Sequence, residues 1–134
     1  MKSEESNEII LDKVGKICSP NDLLAGELGF RFEVKDVNEK IWPAFVVRHS
    51  NGVSAYVNRC SHLALELDWE PGQFFDIDDK YLICATHGAL YSAKSGECAG
   101  GPCSGIGLQS IVVEEEEEVI CLKDPKYRLH KVDI

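Results

Sequence analysis

The chain has 134 residues, of which 44% are hydrophobic and 28% charged, a composition that fits one soluble globular domain with its own core. Its formal net charge of −9 excludes nucleic-acid binding by phosphate neutralisation. The charge either steers the chain towards a basic partner surface or only keeps a small protein soluble. The first residues are polar and acidic, and no apolar run is long enough to span a membrane. We therefore expect a cytoplasmic protein that binds neither nucleic acid nor membrane.

The predicted elements are mostly short strands. The first is instead a helical turn over residues 20–24, because Ser19 can cap a helix that begins with Pro20. Predicted strands cover residues 30–34, 41–48, 53–58, 74–77, 81–84, 89–93, 108–113 and 119–123. Asn51-Gly52 predicts a hairpin turn between two of them. Such evenly spaced strands are typical of an all-β sandwich or barrel.

Five consecutive glutamates occupy positions 114–118, between the last two predicted strands. One interpretation is a docking patch for a basic partner. The favoured interpretation is a solvated hairpin turn whose like charges spread into water.

Two short segments each place a cysteine before a histidine, Cys-Ser-His at 60–62 and Cys-Ala-Thr-His-Gly at 84–88. Thiolates suit iron–sulfur clusters or zinc, and imidazoles suit zinc or iron. The mixed set therefore leaves a mononuclear zinc site, or a [2Fe–2S] cluster in which two histidines replace two cysteines on one iron. Because one residue separates Cys60 from His62, the two side chains reach different irons of a cluster more easily than one small ion.

Ordinary core residues are a weaker explanation of this pattern. The chain has four histidines, and two of them fall in these segments. All four cysteines and histidines of the pattern stand beside small or turn-forming residues and not within apolar periodic runs.

The segments resemble the cluster-binding loops of the Rieske [2Fe–2S] family, whose pattern is Cys-x-His, a gap usually in the mid-teens, and Cys-x-x-His-Gly. The resemblance continues through Gly-Ala-Leu-Tyr at 88–91, the turn at 94–97, and Gly-Gly-Pro-Cys at 100–103, which resembles the loop that closes over the cluster. Two features depart from the family. The gap of 21 residues, 63–83, is longer than usual, and Ala64 stands where many members have glycine.

The resemblance implies an all-β, Rieske-like antiparallel sandwich or barrel. It implies one Rieske domain over residues 1–134, with a small cluster-binding subdomain at about 57–104. The single [2Fe–2S] cluster would be held by Cys60, His62, Cys84 and His87. The two thiolates would bind one iron and the two imidazoles the other.

Hydrogen bonds to the cluster sulfurs set the potential within the family. High-potential members have a serine two residues after the second histidine, where this chain has Ala89. They also join the two loops by a disulfide at positions that correspond to Leu65 and Thr86. The family tyrosine is kept as Tyr91. The resemblance thus implies a soluble ferredoxin of low potential.

The function implied is a carrier that passes single electrons from a flavin-dependent reductase to a terminal oxidoreductase, such as a ring-hydroxylating oxygenase. The alternative is a small accessory or redox-sensing subunit of a larger reductase complex. The oxygenase itself is excluded, because a mononuclear iron site would need further ligands and only His49 and His130 remain.

The other four cysteines are expected to be thiols, because disulfides are rare in the cytoplasm. They are Cys18, Cys98, Cys103 and Cys121. Cys98 and Cys103 lie close together in the sequence and could form a disulfide, but reduced thiols are favoured.

Overall fold

The computed structural model describes residues 15–60, 65–68, 70–76, 81–86, 88–103 and 105–132. Its strands are β1 (Lys16–Cys18), β2 (Phe30–Lys35), β3 (Ile41–His49), β4 (Gly52–Val57), β5 (Tyr81–Ile83), β6 (Leu90–Ser92), β7 (Cys98–Gly100), β8 (Ser110–Ile111), β9 (Val113–Glu115), β10 (Ile120–Leu122) and β11 (Arg128–Lys131). Within these ranges, no helix has the length and apolar character needed to cross a bilayer.

The described strands form antiparallel sheets, which confirms the predicted all-β fold. The largest sheet has the order β11-β2-β3-β4-β8, and two three-stranded sheets have the orders β1-β10-β9 and β5-β6-β7. The predicted turn at Asn51-Gly52 joins β3 to β4, with His49 opposite Gly52. Gly52 has a φ of 128°, a conformation that favours glycine.

The central strand β3 is buried on both faces, because its side chains alternate between two cores. Ala44 and Val46 belong to a core shared with β1 and β10. Phe45 and Val47 belong to a second core, shared with β5 and β6. The ring of Phe74 stacks on Phe45 with centroids 3.9 Å apart. This stacking ties the segment before β5 to the central sheet.

The helical turn and one predicted hairpin are only partly as expected. The turn is a single 3-10 turn over Pro20–Asp22, shorter than the predicted range. In the hairpin predicted from the strands 74–77 and 81–84, Phe75 forms a β-bridge with Leu82. Residues 77–80 lie outside the described residues.

The prediction of a single strand over residues 108–113 was wrong in one respect, because the structure divides this segment between two sheets. Its first part, β8, pairs with β4, whereas β9 pairs with β10. Val112 stands between the two strands. Its amide donates to the Asp124 carboxylate at 3.0 Å, and its carbonyl accepts from the Lys123 amide at 2.9 Å. The chain therefore changes sheets at this residue.

The predicted hairpin turn contains only part of the glutamate run. Residues 116–118 lie between β9 and β10, whereas Glu114 and Glu115 are the last two residues of β9. The amide of Glu116 donates to the carbonyl of Val119 at 2.8 Å and closes the turn. Glu115 is tied to the domain, because the guanidinium of Arg48 donates to its carboxylate. This contact holds the pKa of Glu115 below its ordinary value.

Candidate metal centre

Cys60 follows β4 closely and starts the first loop of the site. Its side chain is almost fully buried, with 2% of the residue exposed. A backbone hydrogen bond closes this loop, since the Cys60 amide donates to the carbonyl of Leu65 at 2.7 Å. The preceding Asn58 is anchored to β3, since its amide donates to the carbonyl of Pro43 at 2.7 Å. The large sheet therefore fixes where this cysteine lies.

Cys84 follows β5 directly and starts the second loop. Its amide donates to the carbonyl of Ala89 at 2.9 Å, and its carbonyl accepts from the amide of Gly88 at 2.8 Å. Gly88 has a φ of 77°, in the left-handed region where glycine is favoured. These bonds make a tight loop that presents the second cysteine beside the start of β6.

The structure brings the two predicted cysteine ligands into one buried region. Cys60 and Cys84 belong to the same core cluster, which also contains Tyr91. The two loops are joined directly, because the amide of Ala85 donates to the carbonyl of Leu67 at 3.0 Å. Tyr91, on β6, is buried, and its hydroxyl lies 3.4 Å from the Sγ of Cys60.

A third loop, at the end of β7, lies against the second one. Gly101 has a φ of 76°. A Cβ atom at this position would come within 2.7 Å of the Gly88 carbonyl oxygen and 3.0 Å of the Ala89 Cα. Only glycine permits so close an approach of two backbones. The third loop, which resembles the loop that closes over the cluster in the family, therefore contacts the second loop through its backbone.

The prediction that Cys98 and Cys103 are thiols was wrong, because they form a disulfide. Their Cα atoms are 5.9 Å apart, within the range that a disulfide spans. The chain turns back immediately after β7 and brings the two residues together. The less favoured alternative, a disulfide between these two neighbouring cysteines, is the one that the structure contains. The disulfide closes the loop that carries Gly101.

Tyr56, on β4, supports the turn between β6 and β7. Its hydroxyl donates to the carbonyl of Ala93 at 2.7 Å, and its ring leaves no room for a Cβ atom at Gly96. Burial raises the pKa of Tyr56 to about 12, so the hydroxyl keeps its proton at neutral pH.

The two predicted imidazole ligands, His62 and His87, lie outside the described residues. In the part of the chain that is described, no group of three or more His, Cys, Asp or Glu side chains could hold a metal ion. The four-residue ligand set therefore stays a prediction, as do the domain bounds. The donor chemistry fits the thiolate half of a Rieske site, because two buried cysteines come from two loops that bond to each other.

Three polar residues around the first loop were not singled out from the sequence. Asn58 and Asp68 are buried, and Arg31 reaches Asp68 from β2. Their proximity depends on how β2 and β4 pair with β3. Apart from one polar residue on each side of the first motif, Asn58 and Asp68, no local feature of the sequence predicts this proximity.

Comparison with protein-family models finds a match to the Rieske [2Fe–2S] domain over residues 13–112. Comparison with curated proteins finds no match. Similar solved structures include the ferredoxin of carbazole 1,9a-dioxygenase from Nocardioides aromaticivorans IC177, with 20% identity, a TM-score of 0.61, and coverage of 81% of this chain and 95% of that one.

Two further structures have the same fold. A ferredoxin of Sphingomonas yanoikuyae B1 is 21% identical, with a TM-score of 0.60 and coverage of 84% of this chain and 99% of that one. A chain from the complex of reduced oxygenase and oxidised ferredoxin in carbazole 1,9a-dioxygenase is 24% identical, with a TM-score of 0.59 and coverage of 81% and 92%. At these identities the structures establish the fold, and the family model establishes membership. The chain belongs to the Rieske [2Fe–2S] domain family, which binds a Rieske-type [2Fe–2S] cluster.

Proposed function

We propose that this chain is a one-electron carrier whose [2Fe–2S] cluster is held by Cys60, Cys84, His62 and His87. One observation carries the proposal. In a chain of the Rieske family, two buried cysteines at the ends of β4 and β5 meet in one core. The bound cluster supplies reversible transfer of a single electron.

The chain's own residues would bind and tune the cluster. Cys60 and Cys84 would supply thiolates from a core that excludes water. Neutral imidazoles in place of two further thiolates leave less negative charge at the site, which favours reduction. The hydroxyl of Tyr91 is placed to donate a hydrogen bond to the Cys60 sulfur. Such a bond stabilises the reduced, more negative state.

We propose that the chain is a carrier and not itself an oxygenase. The two other histidines support this, because they lie on separate strands and have other partners. His49 bonds through its ring nitrogen to the hydroxyl of Ser54. His130, on β11, lies 4.0 Å from a carboxylate oxygen of Glu33.

The proposed partners are a flavin-dependent reductase that donates the electron and a terminal oxygenase that accepts it. The similar protein from Nocardioides is the ferredoxin of a carbazole 1,9a-dioxygenase, which supports an oxygenase as the acceptor. The formal net charge of −9 favours partners with a basic docking face. A cytoplasmic location stays a prediction.

Anaerobic stopped-flow spectroscopy tests this function. The iron-loaded protein is mixed with NADH and a catalytic amount of a flavin-dependent ferredoxin reductase, and then with an oxidised Rieske oxygenase. We expect the chain to bleach with one electron per cluster and then to regain its colour as the oxygenase is reduced. The Cys84→Ala variant is the control and should pass no electrons. An iron-loaded chain that exchanges electrons with neither protein, but copurifies with a larger reductase, would favour the accessory-subunit alternative.

A further inference from the structure

Asp68 is a buried carboxylate just beyond the first ligand loop. Its side chain has no exposed surface, and both of its oxygens accept hydrogen bonds. Oδ1 accepts from the side-chain amide of Asn58 at 2.9 Å, and Oδ2 accepts from the backbone amide of Gly72 at 2.9 Å. A buried carboxylate needs such donors and a compensating charge, because burial alone disfavours its ionised form.

Arg31, on β2, supplies that charge. Its Nε atom lies 3.4 Å from Asp68 Oδ2, and its Nη2 atom donates to Glu66 Oε1 at 3.1 Å. The buried Nε makes no hydrogen bond of good geometry within the described residues. Its interaction with Asp68 is therefore mainly the attraction between the guanidinium and the carboxylate. One guanidinium from the large sheet thus holds two carboxylates on either side of Leu67.

The segment 65–68, which this guanidinium holds, bonds to both ligand loops. The carbonyl of Leu65 accepts from the amide of Cys60 at 2.7 Å. The carbonyl of Leu67 accepts from the amide of Ala85 at 3.0 Å, in the second loop. The amide of Leu67 donates to the side-chain oxygen of Asn58 at 2.8 Å. The backbone around both cysteines therefore depends on where this segment lies.

We propose that Asp68 is a positioning residue for the cluster, acting with Arg31 and Asn58. The ion pair fixes segment 65–68 against β2 and the end of β4. Segment 65–68 then fixes the two cysteines at the spacing that the cluster requires. The inference rests on the cluster site proposed above. It adds that an ion pair outside the ligand set determines where the two cysteine ligands lie.

The Asp68→Asn variant tests the proposal, because it keeps the shape of the side chain but replaces one acceptor oxygen by a donor. We expect the iron-loaded variant to lose its cluster to a chelator at least tenfold faster than the wild type. We also expect a broadened EPR spectrum of the reduced cluster, because the cysteines adopt a spread of positions. Asp36→Asn is the matched control. Asp36 accepts bonds from Asn38, Lys40 and Trp42 in the β2–β3 turn.

Arg31→Gln is a second variant, needed if Asp68→Asn does not fold. It leaves the bonds of Asn58 and Gly72 to Asp68 in place, so we expect a smaller change in the same direction. The double variant should lose its cluster no faster than the worse single variant, because the two residues act as a unit.

The proposal is overturned if Arg31→Gln, or a folded Asp68→Asn, matches Asp36→Asn in both cluster lifetime and EPR line shape. A failure of the proposed cluster site gives a different result, because the wild type itself would then contain no iron and sulfide. A failure of the proposed electron transfer would leave the cluster lifetimes and EPR spectra of these variants unaffected.

Discussion

The hydroxyl of Tyr91 lies 3.4 Å from the Sγ of Cys60, and both residues are buried. We predict that Tyr91→Phe lowers the midpoint potential, because it removes a donor to a ligand sulfur. A net hydrogen bond is worth about 1 kcal/mol. At 59 mV per tenfold for one electron, this corresponds to a decrease of roughly 40 mV. Protein-film voltammetry measures the change.

Tyr56→Phe is the control for this prediction. It removes an equally buried hydroxyl, one that bonds to the carbonyl of Ala93 and not to a cysteine. We expect it to lower the free energy of unfolding but to leave the potential near that of the wild type. Equal shifts in the two variants would mean that Tyr91 acts only through packing.

Gly101→Ala should destabilise the closing loop more than Gly105→Ala. Both glycines have left-handed backbones, with φ of 76° and 82°, so both substitutions carry a strain of roughly 1–2 kcal/mol. Only at Gly101 would the new Cβ meet another backbone, at 2.7 Å from the oxygen of Gly88, whereas nothing lies within 4 Å at Gly105. Urea denaturation of the two variants measures the difference. Equal losses of stability would show that the contact with Gly88 is unimportant.

Much of the fold follows from local patterns in the sequence. Asn51-Gly52 between apolar runs is enough to place the β3–β4 hairpin, because the turn depends on residues at the turn itself. The strands β1, β7 and β11 were not predicted. Each is three or four residues long, and β11 is mostly polar. β1 and β11 pair with β10 and β2, which are distant in the sequence, so no local pattern predicts their pairing. β7 pairs instead with β6, its neighbour in the sequence.

The site shows the same division. Both cysteine ligands could be proposed from the motifs, because the spacing of each cysteine and histidine resembles the pattern of the Rieske family. The Cys98–Cys103 disulfide was the less favoured of two possibilities, because the expected compartment counted for more than the closeness of the two residues in the sequence. The contact of Arg31 with Asp68 was missed because 37 positions, 31 to 68, separate the two residues and β3 brings them together.

We predict that the free energy of unfolding falls at alkaline pH, because the thiol of Cys18 is buried. Burial, with the carboxylate of Asp22 adding to it, raises the pKa of Cys18 from 9.0 to about 12. The folded state therefore keeps the neutral thiol. Its contribution to stability is complete below pH 9.0 and is lost as the pH rises towards about 12. The expected slope is about 1.4 kcal/mol per pH unit in this window.

Urea denaturation of the wild type and of Cys18→Ala, from pH 8 to 11, measures this slope. Tyr56 also titrates at high pH, with its pKa raised to about 12, but it contributes equally in both proteins. The difference between the two proteins should therefore shrink above pH 9.0. A difference that is constant across the range would contradict the prediction.

The Cys98–Cys103 disulfide should stabilise the third loop. By loop-closure entropy, a bridge between residues so close in sequence is worth roughly 2 kcal/mol. We predict that replacing both residues by serine lowers the free energy of unfolding by this amount. Treating the wild type with a dithiol should have the same effect, and the serine variant should not respond to the dithiol. Alkylation of both cysteines in the denatured, unreduced wild type would show that the disulfide is absent.

The central claim is that the chain holds a [2Fe–2S] cluster through two cysteines and two histidines. Analysis of iron, acid-labile sulfide and zinc tests it most directly, in the wild type and in single alanine variants of the four ligands, with Cys121→Ala as control. We predict two irons and two sulfides per wild-type chain. We expect their loss in each of Cys60→Ala, Cys84→Ala, His62→Ala and His87→Ala, and their retention in Cys121→Ala. One zinc per wild-type chain without sulfide, or a histidine variant that keeps the full cluster, would contradict the account.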